Sequence, residues 1–436
     1  MTDAALTFPT AEPEGLQVAF VGKRGALFWL AFKTGFWTIL TLGLYRFWMK
    51  TRMRRWYWSA IRPGGHPMEY VGDPLEKLLG FFIAVVILTF YLGIVNLLLM
   101  FVSFSVFSSA SLGYLASFAG VIPLWFYARY RARRYVLART RWRGVRFGLE
   151  KGAWGYAWRA CLHWMVTIAS LGVLWPRMTF WLEKYVTDRT YFGSARLHQG
   201  GGWTMLYRAA VPFAVSLLVL GTGALWLFWI DPVVVSADIT LEGVTRSFDE
   251  MMDGGAPAMP VVGIERLLIF PLGFLGLIYG AIHYRFVSRR ILADHKSSEG
   301  ISLASRLSGP RVVSIYVLGN FIAYLVLVIG VVALVLGAIG TFGAGVLLGV
   351  DVGPLSLGWD LPQGLGIAMF AVFYLTIFLM WNVLYNTFVT YPLMRHMANT
   401  LSLPTRYGLR YVSQRARDEF AEAEGFAEAL DLGAAI

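Results

Sequence analysis

A chain of 436 residues that is 57% hydrophobic and 15% charged, against the roughly 25% charge usual in soluble domains, does not read as a soluble globular protein. Its mean hydropathy of +0.59 and several apolar runs of about 20 residues, enough to cross a hydrocarbon core about 30 Å thick, predict an all-α polytopic membrane protein. The formal charge of +12 reads as a positive-inside bias with attraction to anionic head groups, not as a nucleic-acid surface, and the single Cys161 excludes an internal disulfide framework.

Residues 1–19 form a polar leader without the basic and apolar regions of a signal peptide, so no cleavage is expected. An apolar element over 27–49, interrupted by Lys33 and Arg46, runs into Lys50, Arg52, Arg54 and Arg55. Spans are predicted at 78–102 and 112–127, joined by an uncharged turn and followed by a basic block that includes Arg131, Arg133 and Arg134. A second element over 154–175 carries Arg159 and His163. Spans at 209–230 and 267–284 enclose an acidic loop. Spans within 312–388 form a third hairpin, whose loop holds Asp351 and Asp360. The tail, 389–436, is basic as far as Arg417 and acidic from Asp418 to Asp431.

The two elements are related. Thr38, Ile39, Leu42 and Gly43 match Thr167, Ile168, Leu171 and Gly172 at an offset of 129, with Trp29 on Trp158 and Thr41 on Ser170. The chain thus divides into repeat unit 1 (20–151), repeat unit 2 (152–311), a third spanning hairpin and the tail. Lys and Arg beside spans favour the cytoplasm, and the segments 50–77, 129–151, 177–208, 285–311 and 389–417 are all basic. Three hairpins satisfy every loop only if neither related element makes a simple crossing. Each is expected to be re-entrant or interfacial, the alternative being an ordinary crossing that violates the charge bias locally. Broken backbone at membrane depth needs cover from protein or water. Short apolar pieces around Phe20–Gly22, Met68–Gly72 and Val145–Gly148 are candidate strands beneath the membrane.

The stretches FVGKRGALFW, TLGLYRFWMKTRMRRWYW, MEYVGD and TIASLGVLWP resemble the YjgN-like family of bacterial inner-membrane proteins over most of residues 18–310. The likeness weakens over the last hairpin, which has no Thr-Leu-Gly motif before it. The resemblance implies a multi-pass protein of the bacterial inner membrane, and no particular reaction.

Candidate chemistry is sparse. The six histidines have no metal-ligand spacing, no two carboxylates share a predicted span, and no GxSxG elbow is present. No enzyme activity, cofactor or metal is expected. The candidate site for an anionic ligand comprises Lys33, Thr38, Thr41, Gly43, Arg159, His163, Thr167, Ser170 and Gly172, by analogy with half-helices that meet at binding sites. Snorkelling of the basic side chains is the competing account. Arg52, Arg54, Arg55, Arg131, Arg133 and Arg134 are candidate contacts for anionic lipid. Asn96, Asn320, Asn382 and Asn386 are expected to bond between helices, and Gly273, Gly276 and Gly280 to admit close helix approach, within the chain or in a homo-oligomer.

The expected function is that of a transporter or lipid-handling protein with an anionic ligand and both termini cytoplasmic. A non-catalytic scaffold that binds anionic lipids or protein partners through its basic face is the alternative. Partners are membrane lipids, with no nucleic acid.

Overall fold

The computed structural model describes residues 15–107, 111–230, 253, 267–342, 363–404 and 407–415. The expected acidic loop after Ile230, most of the loop at 340–363, residues 1–14 and the acidic tail lie outside these. Compact packing divides the chain into Met1–Met205 with Arg290–Ile436, and Leu206–Arg289.

The first unit alternates helical hairpins with short strands. In order it contains β1 (Leu16–Phe20), α1 (Arg24–Leu40), α2 (Arg46–Ala60), β2 (Ile61–Pro63) and β3 (Met68–Tyr70). Next come α3 (Pro74–Phe90), which continues through a π-helical turn into α4 (Asn96–Phe107), then α5 (Ser111–Ala138), β4 (Thr140–Trp142) and β5 (Val145–Leu149). The second related element is α6 (Ala153–Ala169) and α7 (Trp175–Thr187), followed by β6 (Thr190–Phe192), β7 (Ala195–Arg196) and β8 (His198–Gln199). The second unit holds α8 (Tyr207–Leu225) and most of α9 (Ile269–Asp294). The chain then forms β9 (Lys296–Ser298), β10 (Ile301–Ser302), β11 (Ala304–Ser305), α10 (Gly309–Phe342), α11 (Gln363–Tyr385), α12 (Tyr391–Asn399) and β12 (Leu401–Leu403).

Among the described residues, five helical stretches are long and apolar enough to cross a membrane: Pro74–Val106, Trp203–Leu225, Ile269–Asp294, Gly309–Gly337 and Ala371–Asn399. The expected span at 112–127 is the first half of α5, which packs along α4. In the second unit the glycines work as expected. A side chain at Gly280 would meet the Phe213 backbone, and Gly273 and Gly276 lie against Leu220 and Ser216, so α8 and α9 approach closely. Asn320 and Asn386 differ from expectation. Asn320 donates to the Tyr316 carbonyl, and Asn386 donates to the Asn382 carbonyl and side-chain oxygen, all within their own helices.

The strands explain how each hairpin is closed. Three pairs flank the long helices: β3 with β4, β8 with β9 and β11 with β12. Two more flank the related elements, β1 with β2 and β5 with β6. The strand order β2-β1-β12-β11 repeats as β6-β5-β4-β3, and so does the register. Phe20 faces Ile61 as Leu149 faces Thr190, both shifted by 129. Gln17 faces Ser402 where Arg146 faces Arg141. The α10–α11 hairpin therefore stands to α1–α2 as α3–α5 stands to α6–α7. This register groups the C-terminal hairpin with the first related element instead of leaving it as an appendage.

Candidate functional site

Each related element folds as two helices joined by a five-residue turn, and the backbone hydrogen bonds of the two turns correspond one for one. Gly43 N–H donates to the Thr38 carbonyl at 2.7 Å, as Gly172 N–H does to Thr167 at 2.8 Å. The Thr41 hydroxyl accepts from Tyr45 N–H at 2.9 Å, as the Ser170 hydroxyl accepts from Leu174 N–H at 3.1 Å. Thr38 and Thr167 hydroxyls bond one turn back, to the carbonyls of Thr34 and His163. The glycines hold φ of 91° and 86°, a region open to glycine at little cost. Thr38, Thr41, Gly43, Thr167, Ser170 and Gly172 thus serve the turn: a left-handed bend ends one helix and a hydroxyl holds the N–H of the residue just before the next.

The base of each hairpin is closed in the same way. Val21 N–H donates to the Ala60 carbonyl at 2.9 Å, and Glu150 N–H to the Arg189 carbonyl at 3.0 Å. Neither element is a straight rod, and both ends of each lie side by side. At the opposite end, Leu42 and Leu171 are 94% and 90% exposed.

The charged candidates separate. Lys33 is exposed on α1, a helix that packs on α2 and α11, whereas Arg159 and His163 lie on α6, which packs on α5 and α7. The offset of 129 places Lys33 on Leu162, Arg159 on Leu30 and His163 on Thr34. The repeat preserves the turn and not the charges.

Arg159 and His163, four residues apart, share one face of α6 and line a cleft of about 240 Å³ with Trp181, Lys184, Tyr185, Asp188 and Arg189. Tyr185 organises it. Its hydroxyl donates to the Gly152 carbonyl at 2.9 Å, and its ring carries the Arg189 guanidinium at 3.7 Å and that of Arg159 at 4.8 Å. Each arginine donates to a backbone carbonyl within its own turn, Arg159 to Gly155 and Arg189 to Tyr185. Among the described residues neither is paired with a carboxylate. Asp188 is held by Lys184 at 3.0 Å and accepts from Gln199 N–H, so three cations face one engaged carboxylate. Such a cleft suits an anion with an apolar portion, Trp181 being 41% exposed beside it. Sequence reading found Arg159 and His163 but missed the α7 half of the cleft. Its signal was the spacing of Trp181, Lys184, Tyr185 and Asp188, one face of an amphipathic helix.

The expected lipid-contacting arginines divide in two. Arg52 and Arg55 are exposed and Arg131 is half-buried, with Arg55 donating to the Gly72 carbonyl and Arg131 to the Tyr127 hydroxyl. Arg54 is buried and donates to the Tyr70 hydroxyl, and Arg134 is buried too. Arg133 donates twice to Glu183, which also accepts from Lys296 at 2.6 Å. Burial alone would raise the Glu183 carboxyl; the two neighbouring cations outweigh it and hold that group well below the usual carboxylate range. Arg54 and Arg133 therefore tie the protein to itself, and Arg134 is buried within it.

No curated protein and no solved structure matches the chain. A family model described as a bacterial protein of unknown function, DUF898, matches residues 15–333, which takes in both turns, the strands that close them and the α6–α7 cleft. The chain belongs to the DUF898 family of bacterial proteins.

Proposed function

We propose that this is a multi-pass protein of the bacterial inner membrane that handles anionic lipid. Its paired strands and both termini face the cytoplasm, and its two short hairpins dip into the bilayer from that side. The observation that carries this reading is the pairing of the incoming and outgoing strands of each hairpin, within segments where arginine and lysine gather. A helix of 17 residues is about 25 Å long, so the apolar tips would reach well into the hydrocarbon. The resemblance to YjgN-like inner-membrane proteins supports the same location.

Lipid handling is favoured over passage of a soluble solute because Lys33 and Arg159 lie on different hairpins, and the cationic cleft is lined by the α6–α7 hairpin and the two residues that follow it. The scaffold reading draws on exposed Arg52 and Arg55, and is weakened by the internal engagement of Arg54, Arg133 and Arg134.

Cysteine labelling tests the topology. On a Cys161→Ser background, cysteines replacing the exposed His66, Arg143 and Glu299 should react with an impermeant maleimide only in inside-out vesicles. Cysteines replacing Leu42 and Leu171 should resist the reagent on both faces. Reaction at His66 in intact spheroplasts would overturn the reading.

A further inference from the structure

The α6–α7 cleft can be assigned a ligand more narrowly than "anionic". We propose that it is a phosphate site for the head group of an anionic glycerophospholipid, present once per chain; this rests on the lipid-handling reading above. Two guanidiniums with no carboxylate partner among the described residues, both fixed on the Tyr185 ring, leave N–H donors for the oxygens of one phosphate. Arginine forks suit that geometry. Holding both on one ring reduces the side-chain entropy lost on binding.

Depth distinguishes a lipid from a free anion. Arg159 lies six residues from the start of α6, about 9 Å along a helix about 25 Å long. Its charge is therefore near the closed base, at head-group level for a hairpin dipping from that side. Beyond it toward the tip, Leu162, Met165 and Ile168 are exposed, an apolar path for acyl chains. Trp154 and Trp158, also exposed, suit the interface.

The first hairpin explains the stoichiometry. At the positions of Arg159, His163 and Arg189 it carries Leu30, Thr34 and Ala60. Thr34 and Ala60 are buried, and Leu30 packs against the core formed with α11 and α12. The turn is duplicated but the clamp is not.

The test uses the purified full-length chain in detergent, titrated with phosphatidylglycerol or phosphatidylcholine and read by native mass spectrometry. Parallel titrations use inorganic phosphate and glycerol phosphate, read by thermal unfolding. The wild type should retain one phosphatidylglycerol per chain in preference to phosphatidylcholine. Arg159→Ala with Arg189→Ala should lower that affinity at least tenfold, and Lys33→Ala should leave it unchanged. The single Arg159→Ala, at an exposed position, serves if the double variant does not fold and should show a loss in the same direction. Unchanged affinity and stoichiometry in the arginine variants would overturn the site while leaving lipid handling standing. Equal retention of both lipids by the wild type would overturn lipid handling itself. Stabilisation by inorganic phosphate or glycerol phosphate, lost in the arginine variants and not increased by phosphatidylglycerol, would overturn the lipid source.

Discussion

At one and the same place in the repeat, the first hairpin buries Arg54 and the second carries Glu183, 129 residues on. Arg54 lies over the rings of Tyr70 and Trp58 at 5.2 and 5.9 Å, whereas Glu183 joins α7 to Arg133 of α5 and Lys296 of β9. The outer faces differ as well. The first hairpin is capped by α11 and α12, through Leu379, Val383, Tyr391 and Met394. The corresponding face of the second packs on α5 through Tyr156, Ala157 and Ala160. Its other side is left open as the cationic cleft. One backbone design thus serves two ends: a sealed hairpin fastened by aromatic rings, and an open one fastened by ions.

Exchanging a single residue between the hairpins is the strongest way to break this comparison. Gly35 lies against Leu379, whose Cδ1 a side chain there would meet, and its counterpart Trp164 is 40% exposed. Gly35→Trp should lose about 3 kcal/mol, at the upper end of overpacking costs, while Trp164→Gly should lose about 1 kcal/mol, the helix penalty of glycine. Thermal unfolding in detergent measures both, and equal losses would show that the two faces are covered alike.

The fastenings should differ in their response to acid. The folded-state pKa of Glu183 is depressed, so its contribution is full above the unfolded value of about 4.3 and is lost as pH falls through the folded value. Glu183→Gln should destabilise the chain at pH 7 by about 1–2 kcal/mol, a range discounted for the 41% exposure of the Arg133 side chain. That deficit should shrink on acidification below about pH 4. Arg54→Gln should show no such convergence. Unfolding profiles between pH 3 and 7 decide the matter.

The smallest effect sharpens what the hairpins share. Thr41→Ala and Ser170→Ala each remove the acceptor for the N–H of the residue just before the following helix, Tyr45 or Leu174. Losses of about 1 kcal/mol, the net worth of one hydrogen bond, similar in the two variants, are expected from thermal unfolding. A large difference between them would mean that the turns are not interchangeable.

Much of this architecture was legible in the residues. Thr38–Gly43 and Thr167–Gly172 announced two related breaks, because a left-handed turn and a hydroxyl cap demand particular residue types. The short strands were visible where an aromatic is followed closely by glycine, as at Phe20–Gly22, and the long helices through hydropathy. What escaped was pairing at long range. Leu16 and Leu403 share a register that no local pattern encodes. The triad of Arg133, Glu183 and Lys296 draws on residues 50 and 113 positions apart. The site was half visible for the same reason: Arg159 and His163 stood out as charges in an apolar stretch, whereas Lys184 and Arg189 read as ordinary members of a basic flank.

The tips carry a consequence of their own. Leu42 and Leu171 both hold φ of 50°, a left-handed posture that costs a residue with a Cβ about 1–2 kcal/mol. In water that cost would be compounded by two greasy side chains left undressed. Among acyl chains each leucine regains about 2 kcal/mol by transfer, enough to offset the posture. On the proposed topology, forming the bend and entering the oil would be one event, with the bilayer as a folding partner for the polypeptide.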